Sequence, residues 1–412
     1  MYKCVETNSP IDLLLGMKCY VSSSKGVEVL EKIDSSNFTV REVIKRYEIA
    51  SEPYYLKYYS KLNSDQILYL FILKKRELET FEAIKRVRKI LRARDIYYLG
   101  LKDKAATTYQ FIGISNPKNF SPYVYTRDFE LFFIDLINKS MFRRDILLGN
   151  CFSIDLSRLV RDFESRKESI HSMIETLKNT GFIPNYYSYQ RFGVRRVLTH
   201  LVGRHILRND LQRALHTLIC YPEEECDIRD HCKEILESKK RWMWIERSVC
   251  KAFLSKLTLR EVFKKIPRAI NLLFIESYFS YLFNNYLSER WRLYGLGFEN
   301  IDDEKLDKTS LTRSVCPYIS IELSNRELNV TSGSRDILYE LLEKDFDREL
   351  SRSFDMVRYL TGLNKILVKR FLICPLTSLE IRGSYLELCL DKGCYATILL
   401  RELFKENTIK LF

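Results

Sequence analysis

Apolar side chains recur at every second residue near both ends of this chain and at every third or fourth residue through its middle. That change of period confines the architecture before any motif is read. In NFTVREV (37–43), Phe38 and Val40 share one face, and in CFSIDLSRL (151–159), Phe152, Ile154 and Leu156 do the same, as half-buried strands require. ILYLFILKK (67–75) is an apolar run of a length that suits a buried strand, and SLEIRGSYLELCLDK reads as a hairpin across Gly383-Ser384. Between them, FESRKESIHSMIETLKN ends at the stop signal Gly181, and INLLFIESYFSYLFNNYLSERW reads as a long apolar-faced helix. Strands are expected to return near 317–331, followed by two helices over roughly 335–372. Strand-rich ends around a helical middle predict an α+β class in which an insertion separates the two halves of one domain.

A length of 412 residues suits two domains. With 46% hydrophobic residues but only 14 Gly and 9 Pro, the chain can build a sizeable core and has little flexible linker. Its 11 cysteines form no CxxC pair, which predicts an intracellular protein with reduced, mostly buried thiols. The group Cys220, Cys226, His231 and Cys232 matches no usual zinc spacing, so no metal is expected. No signal peptide is evident and no apolar stretch approaches the ~20 residues that span a bilayer. A cytoplasmic protein is the expectation.

The excess of 67 Lys and Arg over 54 Asp and Glu, a net charge of +13, favours a polyanionic partner. Nine of the 21 residues from Lys74 to Arg94 are basic, around a helical stripe of Phe81, Ile84, Val87 and Leu91. These cations form either a solvated face or a contact to an RNA backbone.

The stretch GLKDKAATTYQ (100–110) sets Asp103 between Lys102 and Lys104. A carboxylate flanked by lysines is ordinarily a solvated charge cluster. Here it follows the strand-like DIYYL, at a loop exit where functional side chains are displayed. Nearby cations keep a carboxylate ionised, available as nucleophile or base.

Gly100, Lys102, Asp103, Ala106, Thr108 and Gln110 meet the pattern G-x-K-D-x-x-A-x-T-x-Q, which resembles the signature of the TruD family of pseudouridine synthases, in an archaeal-type form. Four further segments resemble family motifs in the right order: Lys32, Phe38, Val40 and Glu42 in LEKIDSSNFTVREV; LLGNCFSI; NYYSYQRFG (185–193); and CYATILLRE (394–402). Together they span residues 32 to 402. Ser188 stands where the family usually has Gly, and Tyr187 where bacterial members place Phe.

The resemblance implies a pseudouridine synthase domain with a mixed, largely antiparallel sheet over 1–195 and 372–412, and a largely helical α+β insertion domain over 196–371. It implies isomerisation of uridine to pseudouridine in tRNA, at U13 of the D arm. Tyr187 would stack on a base swung out of its helix, since chemistry on a base requires it unstacked. Asp103 would be the catalytic carboxylate, with Lys32 as a cation close enough to hold it charged in a dry pocket. Asn185, Arg191, Phe38, Lys102 and Gln110 are candidate substrate contacts. Arg191 would bind phosphate or close a buried pair, and Phe38 suits a core position better than a substrate contact. Glu42, Thr108, Phe192, Gly193, Ala396, Thr397 and Arg401 are expected to orient or support the site.

The isomerisation involves no redox change and no energy input, so no cofactor is expected. The expected partner is tRNA, with other structured RNA possible, and no membrane or obligate protein partner is implied. A non-catalytic RNA-binding module and a metal-dependent nucleic-acid hydrolase are the competing readings. The hydrolase would need clustered carboxylates, and Asp103 has no acidic neighbour in its motif.

Overall fold

The computed structural model describes residues 2–45, 66–193, 195–238, 240–297, 318–324, 327–331, 337, 340, 341, 350–376 and 378–412. The chain divides into two compact units. One, the sheet unit, comprises Ser24–Ile183 and Cys374–Phe412; the other, the helical unit, comprises Met1–Ser23, Pro184–Phe298 and Cys316–Ile373. The division falls at 183/184 and 373/374, and the first 23 residues cluster with the helices.

The sheet unit is built on a nine-stranded mixed sheet. Its strands run in the order Ser378–Arg382, Tyr385–Asp391, Leu147–Asp155, Phe38–Ile44, Thr107–Ser115, Ile67–Lys75, Phe129–Asn138 and Tyr123–Tyr125, with Asp95–Tyr98 also paired to Thr107–Ser115. Phe38–Ile44 and Thr107–Ser115 run parallel, and every other pairing is antiparallel. The hairpin across Gly383-Ser384 forms as expected, with Arg382 opposite Tyr385.

Successive side chains of Ile67–Lys75 point to opposite faces of the sheet. Leu68 and Leu70 therefore pack with Leu99, Ile137, Phe142 and Ile146. Phe71 and Leu73 join a separate core formed with Ile84, Val87 and Leu91 of the helix Thr80–Leu91. Lys75, the next residue in that inward row, is fully buried. Phe81 is not part of the expected stripe: it is 62% exposed and meets Tyr98 edge-on.

The helical unit packs its helices with a three-stranded antiparallel sheet in which Tyr318–Ser324 lies between Glu327–Thr331 and Lys365–Phe371. Its longest helix, Arg268–Tyr294, is buried on several sides rather than along one apolar face, and Ser277, Ser280, Asn284 and Ser288 are fully buried. Gly203 lets the helix Thr199–Leu207 touch it backbone to backbone, since a Cβ there would lie 2.0 Å from the carbonyl oxygen of Phe274.

Three expectations are corrected. Residues 365–371 form a strand, not the end of a helix, while the earlier of the two helices expected there lies largely outside the described residues. Residues 156–159 leave the sheet as a helical turn. The cysteines are not all reduced: Cys4–Cys19, Cys151–Cys389, Cys220–Cys226 and Cys374–Cys394 are disulfides, and Cys232 and Cys250 are buried free thiols. Cys151 and Cys389 are direct cross-strand partners, a proximity that a separation of 238 residues conceals. Among the described residues no helix is long and apolar enough to cross a membrane.

Candidate active site

Asp103 lies on the loop between strands Asp95–Tyr98 and Thr107–Ser115 and is exposed. Among the described residues its carboxylate takes no hydrogen bond or ion pair, whereas the backbone beneath it is held firmly. The Lys75 ammonium donates to the carbonyl oxygens of Asp103 at 3.0 Å and Lys102 at 3.4 Å. Burial lowers the Lys75 pKa to about 8, opposed by the nearby charges of Glu79 and Asp103. The Thr80 hydroxyl accepts from the Lys102 amide at 3.2 Å. One face of the loop is thus pinned to the sheet and helix while the carboxylate points to solvent.

The lysines flanking Asp103 do not pair with it. Lys102 forms an ion pair of 2.6 Å with Glu42, whose side chain is fully buried. The other Glu42 oxygen accepts from the Phe111 amide at 2.8 Å. Burial pushes the Glu42 carboxyl above its ordinary range, an effect opposed by Lys102. Lys102 is therefore engaged internally.

Lys32 is exposed and its ammonium donates to the Phe412 carbonyl oxygen at 2.7 Å, so the expected ion pair with Asp103 is not formed here. Its segment is nevertheless fixed beside the Asp103 loop, because the Thr107 hydroxyl donates to the Ser35 carbonyl oxygen at 2.6 Å. Gln110 and Thr108 are fully buried, and among the described residues the Gln110 amide nitrogen and Thr108 hydroxyl find no hydrogen-bond partner. Phe38 sits in the core against Phe152. Ala396, Thr397 and Arg401 are buried in the helix Ala396–Phe404.

In the helical unit the segment 185–193 is carried by the long helix through residues four apart, which share a face. Glu276 and Ser280 bind the Arg191 guanidinium at 2.8 and 3.1 Å. Asn284 accepts from the Tyr187 amide at 2.8 Å and donates to the Tyr187 carbonyl oxygen at 3.1 Å. Ser288 hydrogen-bonds the Tyr186 hydroxyl at 2.8 Å. From the first 23 residues, the buried Asp12 accepts from the Tyr189 hydroxyl at 2.5 Å. Arg191 thus closes an internal pair. Gly193 has φ +90°, and a Cβ there would meet the Arg196 carbonyl oxygen at 2.6 Å. Ser188 adopts ordinary extended geometry, φ −83°, so the segment needs no glycine at that position. Phe192 is fully buried.

Tyr187 is half-buried, with Phe283 edge-on at 5.6 Å. The Arg370 guanidinium lies 3.9 Å from its ring centroid. The Asn185 side chain is tied at both ends: its oxygen accepts from Arg370 at 2.7 Å and its nitrogen donates to the Phe371 carbonyl oxygen at 3.1 Å. An exposed carboxylate on a clamped loop and an aromatic ring backed by a cation are the two chemical features these segments offer.

Comparison with known proteins bears on their use. The family model for tRNA pseudouridine synthase D (TruD) matches residues 14–312. The chain belongs to the TruD family. A relative from Sulfurisphaera tokodaii, named "Probable tRNA pseudouridine synthase D", is 28% identical over 349 residues, covering 82% of this chain and 85% of that one. One from Thermococcus sibiricus with the same name is 32% identical over 287 residues, covering 66% of this chain and 64% of its own. A TruD crystal structure from Methanosarcina mazei superposes with a TM-score of 0.67 at 21% identity, over 98% of this chain and 100% of that one, which shows a shared fold. TruD enzymes are pseudouridine synthases, a class of isomerase that acts on tRNA, and the chain is an enzyme of that class.

Two residues that the TruD motifs do not select, Arg370 and Lys75, hold the motif segments in place. Each occupies the inward phase of a strand: Ile366, Val368 and Arg370 alternate as buried positions, as do Phe71, Leu73 and Lys75. A cation in a row of core residues is the sequence signal for both.

Proposed function

We propose that the chain converts U13 in the D arm of tRNA to pseudouridine, with Asp103 as the catalytic carboxylate. The sheet unit would be the catalytic domain and the helical unit the family insertion. The observation that carries this reading is the state of Asp103: its carboxylate is exposed and unpartnered among the described residues, while Lys75 holds its carbonyl oxygen and Thr80 the backbone of the adjacent Lys102. A fixed backbone lowers the entropic cost of placing the exposed carboxylate against a substrate.

The reaction breaks the N1–C1′ bond, forms a C5–C1′ bond, releases the C5 proton and protonates N1, so no electrons are exchanged with a cofactor. Asp103 serves as nucleophile or as the base of a glycal-type route. Tyr187 supplies a ring for the extruded uracil, and Lys32 acts beside Asp103 once RNA draws it from Phe412. The choice of U13 rests on the motif resemblance.

The test is release of tritium from tRNA carrying tritium at uridine C5. The wild-type chain should release it, and Asp103→Asn should not, while still binding tRNA. Release by Asp103→Asn would remove Asp103 from the mechanism. Undiminished release from a transcript with cytidine at position 13 would remove U13 as the target.

A further inference from the structure

The helical unit displays a second aromatic feature, outside the motif segments. The chain has three tryptophans. Trp291 is fully buried and donates to the Tyr2 carbonyl oxygen at 2.9 Å. Trp242 and Trp244, two residues apart, are 39% and 49% exposed. They lie in the segment SKKRWMWIER (238–247), which holds four basic residues and one acid.

The display is built. Met243, between the two indoles, is buried and anchors the turn. The Arg247 guanidinium donates to the carbonyl oxygens of Leu236, at 2.7 Å, and Ser238, tying the turn to the preceding helix. The one acid, Glu246, is buried and paired with Arg196 at 3.4 Å. Arg196 also donates to the carbonyl oxygens of Leu218 at 3.0 Å and Tyr221 at 2.9 Å. The exposed cations Arg195 and Lys240 remain, with the Arg195 guanidinium 5.2 Å from the Trp242 ring centroid.

A rigid pair of exposed indoles with cations beside them has the chemistry of a site for unpaired nucleotides: bases stack on the rings and phosphates meet the cations. A face for a folded protein would pair an apolar centre with fewer uncompensated positive charges. We propose that Trp242, Trp244, Arg195 and Lys240 bind unpaired nucleotides of the RNA substrate. This rests on the pseudouridine synthase reading for the identity of the RNA. The site would contribute affinity rather than chemistry.

The experiment uses the full chain and a tRNA transcript. Because Trp291 is buried, quenching of tryptophan emission on adding tRNA reports on Trp242 and Trp244. The expected result is quenching by tRNA and not by a blunt, fully paired RNA duplex. Trp242→Ala/Trp244→Ala should weaken tRNA binding about 10-fold or more and raise KM, leaving kcat at saturating tRNA unchanged. Arg195→Glu/Lys240→Glu, which alters only exposed side chains, should weaken binding and flatten its salt dependence. Unchanged affinity and KM in both double variants would overturn the proposal. Equal loss of affinity for tRNA and for the duplex would overturn base stacking. Failure of the wild-type chain to form pseudouridine would instead refute the enzymatic reading, since the quenching is measured without turnover.

Discussion

The Arg370 guanidinium lies 3.9 Å from the centroid of the Tyr187 ring and donates to the Asn185 carbonyl and side-chain oxygens, both at 2.7 Å, and to the Tyr186 carbonyl oxygen at 3.1 Å. One buried, planar cation therefore sets both the direction of the chain at 185–187 and the plane of the ring. Lysine carries the charge but has no fork to make these contacts together. Arg370→Lys is expected to lower kcat about 10²-fold through misplacement of Tyr187, with a smaller change in KM for tRNA. Steady-state kinetics on tRNA together with a thermal melt check this. A fall in melting temperature with kcat unchanged would make Arg370 structural only.

Lys75 grips the Asp103 loop from below, and burial holds its pKa to about 8 against a reference of 10.5. Between those values the unfolded chain binds the proton and the folded chain does not. Unfolding free energy from this group therefore rises with pH across that window, and below it the cost of burying the ammonium is borne in full. Urea unfolding of the wild type and Lys75→Met should show the wild type gaining on the variant from pH 8 to 10.5. A difference independent of pH would contradict the assignment. In the same variant the carbonyls of Lys102 and Asp103 lose their donor, and kcat should fall.

How much of this was legible beforehand follows from what each pattern can encode. Alternation predicted the strands around Phe38, Phe152 and Leu379, because one face of each is buried and the period is local. It failed at 365–371, where Arg370 occupies an inward position and disguises the strand. The motif carried Asp103, Tyr187 and Asn185 into view, yet not the partners of Lys102 and Lys32. Glu42 and Phe412 reach them only through the fold, across 60 and 380 residues of sequence. Phe81 was expected inside because helical spacing alone cannot tell the edge of a stripe from its centre.

The Glu42–Lys102 pair is nearly dry, with side-chain exposures of 0% and 9%. Removing one partner strands the other charge, which costs about 3–5 kcal/mol, whereas removing both spares that penalty. Glu42→Gln should destabilise the fold by that amount, and Glu42→Gln/Lys102→Met by clearly less. A double-mutant cycle by urea unfolding measures it. Strict additivity would mean that the two charges do not depend on each other in the folded chain.

His200 supports the Tyr187 segment from behind, stacked on Tyr281 at 5.2 Å and edge-on to the buried Phe192 at 5.3 Å. Among the described residues neither ring nitrogen has a hydrogen-bond partner, and burial, aided by the Arg204 charge, lowers its pKa from 6.5 to about 3. As pH falls below 6.5 the unfolded chain takes up a proton that the folded chain refuses until about 3, so stability falls with pH across this window. His200→Phe keeps an aromatic ring against Phe192 and Tyr281 and removes the titration. Relative to the wild type, the variant should gain about 1.4 kcal/mol for each pH unit below 6.5 within that window, read by urea unfolding at pH 7, 5.5 and 4.5. A wild type that loses no more stability than the variant on acidification would show that the imidazole is protonated in the folded chain, and that the packing behind Phe192 admits a charge.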